Sequence, residues 1–167
     1  MSDINSRLKP MGLMAADIMI PKKGTDLSKW AVVACDQYTS EKNYWEDVSK
    51  LVGDAPSTLR LIFPECYLED GDSKERIENI NKTMKSYVDA DLFDTYGRTF
   101  FLVKRTCSGV SRWGLMVALD LERYSWEKDS KSLIRATEGT ILSRIPPRKE
   151  IRKDAPLEIP HIMVLIS

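Results

Sequence analysis

The stretch T-F-F-L-V-K-R-T-C-S-G-V-S-R-W-G-L-M-V-A-L-D-L, residues 99–121, decides the fold. Phe100, Phe101, Leu102 and Val103 form one β-type run, Trp113, Leu115, Met116, Val117 and Leu119 form another, and the turn-like Cys107-Ser108-Gly109 lies between them. Two such runs around a glycine-containing turn predict a β-hairpin with strands at 99–106 and 112–121. Apolar residues fall on both faces, so a central position in a sheet is expected. With no net positive charge behind them, the aromatics read as core rather than as a stacking platform for bases.

Helical patterns precede the hairpin. Tyr44, Trp45, Val48, Leu51 and Val52 share one apolar face, with Thr39 or Ser40 as N-cap, Glu41 in the first turn, and Gly53 and Pro56 as the stop. A second helix is expected at 73–89, its buried stripe made by Ile77, Ile80, Met84, Tyr87 and Val88. A short continuous apolar run at 31–35 reads as a buried strand, and L-R-L-I-F at 59–63 reads as a second strand, stopped by Pro64. The predicted class is therefore α+β: a mixed, largely antiparallel sheet with two main helices packed on it. Residues 1–20 read as an N-terminal arm and 21–167 as a single domain. A last β-type run at 162–166 needs a sheet to receive it, and the expectation is the N-terminal part of a longer protein.

Composition narrows the function classes. The 25 basic and 25 acidic residues cancel, so no global field draws the chain to nucleic acid or to an anionic membrane. Cys35, Cys66 and Cys107 are scattered, and His161 is the one histidine, which argues against a zinc site, a disulfide framework or a His-based triad. No apolar segment approaches the roughly 20 residues of a membrane span. A cytoplasmic protein is expected, with neither nucleic acid nor membrane as a partner.

Residues 132–152, S-L-I-R-A-T-E-G-T-I-L-S-R-I-P-P-R-K-E-I-R, carry the densest set of site-like side chains. Arginine's rigid donor fork suits carboxylate and phosphate oxygens. Arg135, Arg144 and Arg148 are expected to hold an anion, Thr140 to donate a hydrogen bond, and Glu138 to orient a metal or an attacking hydroxyl. A short helix over 137–143, ended by Pro146-Pro147, would leave Arg148 and Arg152 on an extended continuation. The other expected wall is the polar turn that leads into the first main helix, with Asp36 as an alternative orienting carboxylate and Tyr38 and Thr39 as ligand contacts. The structural alternative has the arginines in ion pairs with Glu138, Glu150, Asp154 or Glu158, as part of a non-catalytic binding or interaction module. No P-loop, Rossmann fingerprint or G-x-S-x-G is present, and no cofactor is identified.

Several runs together resemble the uncharacterised bacterial and archaeal family called domain of unknown function 1015. They are A-V-V-A-C-D-Q-Y-T-S at 31–40, Tyr44-Trp45, G-D-A-P-S-T-L-R-L-I-F-P-E at 53–65, and 132–148 with Arg135, Glu138, Thr140 and Arg144. The resemblance implies a longer protein with a downstream Asp-Gly-His-His-Arg signature that these residues do not include. Thr137 stands where many members carry histidine, so a His-based role is not carried over. The downstream signature is similar to that of the ParB and sulfiredoxin class and its free-serine kinases, which handle nucleotide phosphates. That analogy implies a phosphate- or nucleotide-binding, kinase-like enzyme for a small anionic substrate, its site completed by the missing C-terminal portion.

Overall fold

A computed structural model describes residues 2–136, 139, 141–159 and 161–164. Its helices and strands run in the order α1 (Ser2–Leu8), β1 (Leu13–Met14), β2 (Ala16–Pro21), α2 (Leu27–Trp30), α3 (Lys42–Val52), α4 (Ser73–Asp89), β3 (Phe93–Thr99), β4 (Phe101–Cys107), β5 (Val110–Met116), β6 (Ala118–Leu119), β7 (Tyr124–Ser125), β8 (Ile134–Arg135) and α5 (Ile145–Asp154). The expected α+β class is what forms. Strands pair two by two, β1 with β6 and β4 with β5 antiparallel, β2 with β3, and β7 with β8 parallel. The chain divides into two compact units, Met1–Ile20 with Asp94–Thr140, and Pro21–Phe93 with Ile141–Ser167.

The first unit is built on strand pairs. The predicted hairpin is present with Phe101 opposite Met116 and Cys107 opposite Val110, which leaves a two-residue loop, Ser108-Gly109. Both loop residues have positive φ, 49° and 77°, the backbone of a primed turn whose twist matches the strands. The expected central position is not found. Among the described residues neither outer edge is paired, and Leu102 and Trp113 are 67% and 62% exposed. Lys104, Arg105, Thr106, Ser111 and Arg112 make the half of the hairpin nearest the turn polar on both faces, so solvation rather than burial prevails there.

The second unit holds nearly all of the core. Trp30, Trp45, Val52, Leu61, Ile62, Phe63, Ile80, Met84, Tyr87, Phe93 and Ile151 are buried, whereas Ile18 is the buried apolar residue of the first unit among those described. Helix α4 has the bounds read from its apolar spacing, and it buries Ile80, Met84 and Tyr87 of the expected stripe. Helix α3 starts later than expected, at Lys42 after Glu41, with no side-chain cap, so neither Thr39 nor Ser40 serves as its N-cap.

Residues 59–63 are buried or half-buried, as are Val32, Val33 and Cys35 of the other run, whose Ala31 and Ala34 are exposed, yet neither run is a strand. Residues 31–34 have no regular structure, and residues 58–61 form a 3-10 turn. The reason is local and polar. Ser57 is fully buried, and its hydroxyl accepts from the Leu59 amide at 3.2 Å, closing a turn where a ladder would need an extended backbone. The same hydroxyl and that of Thr58 donate to the Trp30 carbonyl, at 3.3 and 2.7 Å, which ties the end of α2 to this turn. β-type residues form a strand only where another strand receives them. At 162–164, where a strand was also expected, there is none, and residues 165–166 lie outside the described residues.

Tyr87 completes this network by accepting the Ser57 amide on its hydroxyl at 3.0 Å. Tyr87→Phe keeps the ring against Trp30, whose centroid lies 5.9 Å away, but strands a buried N–H. An unmade buried hydrogen bond costs about 1–3 kcal/mol, and urea unfolding should show a loss of that size. A loss within about 0.5 kcal/mol, the usual range for inconsequential substitutions, would mean that water reaches the Ser57 amide.

Candidate functional site

The arginines of 144–152 are positioned by a helix the sequence did not predict. Pro146-Pro147 was expected to end a helix; instead both prolines lie in the first turn of α5. Proline fits there because the first amides of a helix have no intrahelical acceptor and its fixed φ is already helical. Arg148 and Arg152 are therefore helical, not extended. Arg144 lies at the N-terminal boundary of α5, preceded by a 3-10 turn at Leu142–Arg144, and residues four apart at that end share a face.

That face meets one carboxylate. Glu65, in the 3-10 turn Glu65–Tyr67, has a side chain only 3% exposed, and its Oε1 accepts from Arg148 Nη2 at 2.5 Å. Its Oε2 lies 2.7 Å from Arg144 Nη1, off the direction of an aligned N–H bond, so that contact is an ion pair without a hydrogen bond. The arrangement answers an electrostatic problem. Helix α5 has no acidic residue in its first turn and two cations at its positive end, which the helix dipole disfavours. Glu65 supplies the missing negative charge. Arg152 pairs with Glu158 on the far side of the helix's end.

Of the expected arginine partners, Glu158 is thus used, and Lys153 rather than an arginine approaches Glu150. Glu65 was not anticipated, because it is 83 positions from Arg148 and no spacing rule connects them. Its signal in the sequence is slight: a carboxylate directly after the buried run Leu61-Ile62-Phe63 and Pro64.

The other expected residues are only partly gathered. The turn wall begins beside Glu65, whose amide donates to the Cys35 carbonyl at 2.9 Å. Burial raises the Cys35 thiol pKa, against a smaller opposing effect of Arg148. Asp36 follows it and is exposed, accepting from Gln37 Nε2 at 3.4 Å. Tyr38 has φ 51°, uncommon for a residue with a side chain, and its ring stacks on Tyr44 at 3.8 Å. Thr39 is exposed. Arg135 belongs to β8 in the first unit, and among the described residues it has no carboxylate partner. Glu138 and Thr140, and the helix expected over 137–143 in its first four positions except Gly139, lie outside the described residues.

A second charged cluster was missed by the sequence reading. Lys42 pairs with Asp70, Arg76 Nε bonds both oxygens of Asp72 at 2.8 and 2.7 Å, and the Arg76 guanidinium lies 4.4 Å over the ring of Tyr67. The hydrogen bond that Lys42 donates to Asp70 raises the Lys42 pKa, and the one Asp72 accepts from Arg76 lowers the Asp72 pKa. Cys66 lies between Glu65 and Tyr67, its thiol pKa raised by burial, and lines a 430 Å³ cavity with Lys42 and Tyr44. Lys42 and Arg76 appear in the sequence as ordinary helix charges, and only the turn at Glu65–Tyr67 brings them to Tyr67.

Among the described residues no group of three or more His, Cys, Asp or Glu is placed to hold a metal ion, and no helix is long and apolar enough to cross a membrane. No curated protein and no solved structure matches the chain. A family model described as a protein of unknown function, DUF1015, matches residues 19–167, which includes Glu65, both of its arginines and the Asp36 turn, and the chain belongs to that family.

Proposed function

We propose that the chain is a binding module for a small phosphate-bearing anion, taken at the outward edges of Arg144 and Arg148. The observation that carries the reading is a ratio: two guanidiniums share one buried carboxylate, which leaves one positive charge in excess. The side chains of Arg144 and Arg148 are 37% and 51% exposed, so part of each donor fork faces solvent. Glu65 then serves to pre-orient the forks rather than to react. Phosphoryl transfer, the kinase-like step suggested by analogy, needs in addition a carboxylate free to meet a metal or an attacking hydroxyl. Glu65 is occupied by both arginines, and Asp36, next to Cys35, is the described candidate for that part.

A second reading has a specific observation in its favour. Arg144, Arg148 and Arg152 all have protein carboxylates, so the set can be a structural clamp in an interaction module. Calorimetric titration with inorganic phosphate, ADP and ATP separates the two. The anion reading expects binding that Arg148→Ala weakens about 10- to 100-fold, the worth of one charge-assisted hydrogen bond. Absence of heat with all three, or affinity unchanged in the variant, leaves the clamp alone.

A further inference from the structure

A cleft between helices α3 and α4 is lined by residues other than Glu65, Arg144 and Arg148. The cleft there has a volume of 320 Å³. That is within the range of small-molecule sites, about 300–1,000 Å³. Trp45, Ile62, Phe63 and Ile80 give it an apolar floor, and the charged residues lining it are two arginines, Arg60 and Arg76, with no carboxylate among the described lining residues.

Arg76 is built as an anchor. Its Nε is held by Asp72, its flat face rests on Tyr67, and both Arg76 and Tyr67 line the cleft. Among the described residues Nη1 and Nη2 donate to no protein acceptor, so Asp72 and Tyr67 orient the outer fork without using its donors. Arg60 instead spends Nη2 on the Gly53 carbonyl. An arginine whose entropy of ordering has already been lost to Asp72 and Tyr67 binds a carboxylate or phosphate at lower cost than a free one. We propose that the cleft binds a small organic acid or phosphate ester, its ring or alkyl body on Trp45, Ile62, Phe63 and Ile80 and its oxyanion on the outer fork of Arg76. Neither a bare anion nor a neutral hydrocarbon uses both parts of this surface.

Calorimetric titration of the 167-residue chain with phenyl phosphate, 3-phenylpropionate, benzyl alcohol and inorganic phosphate tests this. At least one of the two aromatic anions should bind tenfold or more tighter than benzyl alcohol and than phosphate, and which of them binds tells phosphate ester from carboxylate. Saturating inorganic phosphate, which would fill the Arg144–Arg148 pair, should change that affinity less than twofold. Arg76→Met, which removes the guanidinium but keeps an unbranched side chain on α4, should weaken it at least tenfold. Thr83→Phe, which fills the cleft from α4 and leaves Arg76 in place, should do the same. No binding of either aromatic anion overturns the proposal. So does displacement by phosphate, or affinity retained in both variants.

Discussion

Arg144→Ala/Arg148→Ala is expected to lower the unfolding free energy by about 3–5 kcal/mol at neutral pH, the cost of leaving a buried charge without its partner. The two sides of this cluster are unequal. Glu65 is 3% exposed and cannot reach water, whereas the arginines are 37% and 51% exposed and can turn outward. Removing either arginine alone leaves Glu65 one cation, so each single variant should cost about 1 kcal/mol, in the range of partly exposed pairs. Glu65→Gln keeps the shape and still accepts from Arg148, and should cost about 1–2 kcal/mol. The decisive measurement is the combination. Glu65→Gln placed in the double-arginine background should recover most of the lost stability, because it removes the charge that has become stranded. Urea unfolding of the four proteins gives the cycle. A double variant costing less than about 1 kcal/mol, or one that Glu65→Gln does not rescue, would show that water or another cation serves Glu65. The cycle measures the scaffold alone, and the anion titration is what tests function.

What the sequence made legible follows the range of the interactions involved. The hairpin β4–β5 and the helix α4 are set by neighbours in the chain, a Ser108-Gly109 turn in one case and a 3.6-residue apolar stripe in the other. Both were readable. Residues 59–63 read as a strand from their β-type composition, which does not show the turn that forms at Thr58–Leu61. The Ser57 hydroxyl decided that, by offering the Leu59 amide a nearer partner than any strand. Pro146-Pro147 was read with the wrong sign because proline ends a helix from inside and begins one from its first turn, and the pair itself does not say which. The arginines were legible as a cluster, and their common partner was not. Glu65 reaches them only because Cys35, the 3-10 turn and α5 meet in three dimensions. The Tyr67–Arg76 anchor escaped for the same reason, each member being ordinary in its own segment.

The second large effect is expected at Trp45. It forms a buried cluster with Cys35 and Ile62, against which Val32, Val33, Tyr44, Leu59, Cys66, Tyr67 and Ile159 pack. Trp45→Ala removes a side chain that is 1% exposed, and a large aromatic cut from a closed core costs about 3–5 kcal/mol. The loss has a direction as well as a size. Tyr44 meets the Trp45 ring edge-on at 5.4 Å and in turn supports Tyr38, while Cys35, in the same cluster, accepts the Glu65 amide on its carbonyl. The cavity therefore opens beneath both candidate sites, and anion binding at Arg144–Arg148 should weaken along with stability. Trp45→Phe should cost about 1–3 kcal/mol through lost volume alone, since the indole N–H has no acceptor to lose among the described residues. Trp113, 62% exposed on the hairpin, supplies the control: Trp113→Ala should stay within about 0.5 kcal/mol. Equal losses at Trp45 and Trp113 in urea unfolding would mean that the core does not centre on α3, and the scaffold argued for both sites would fail with it.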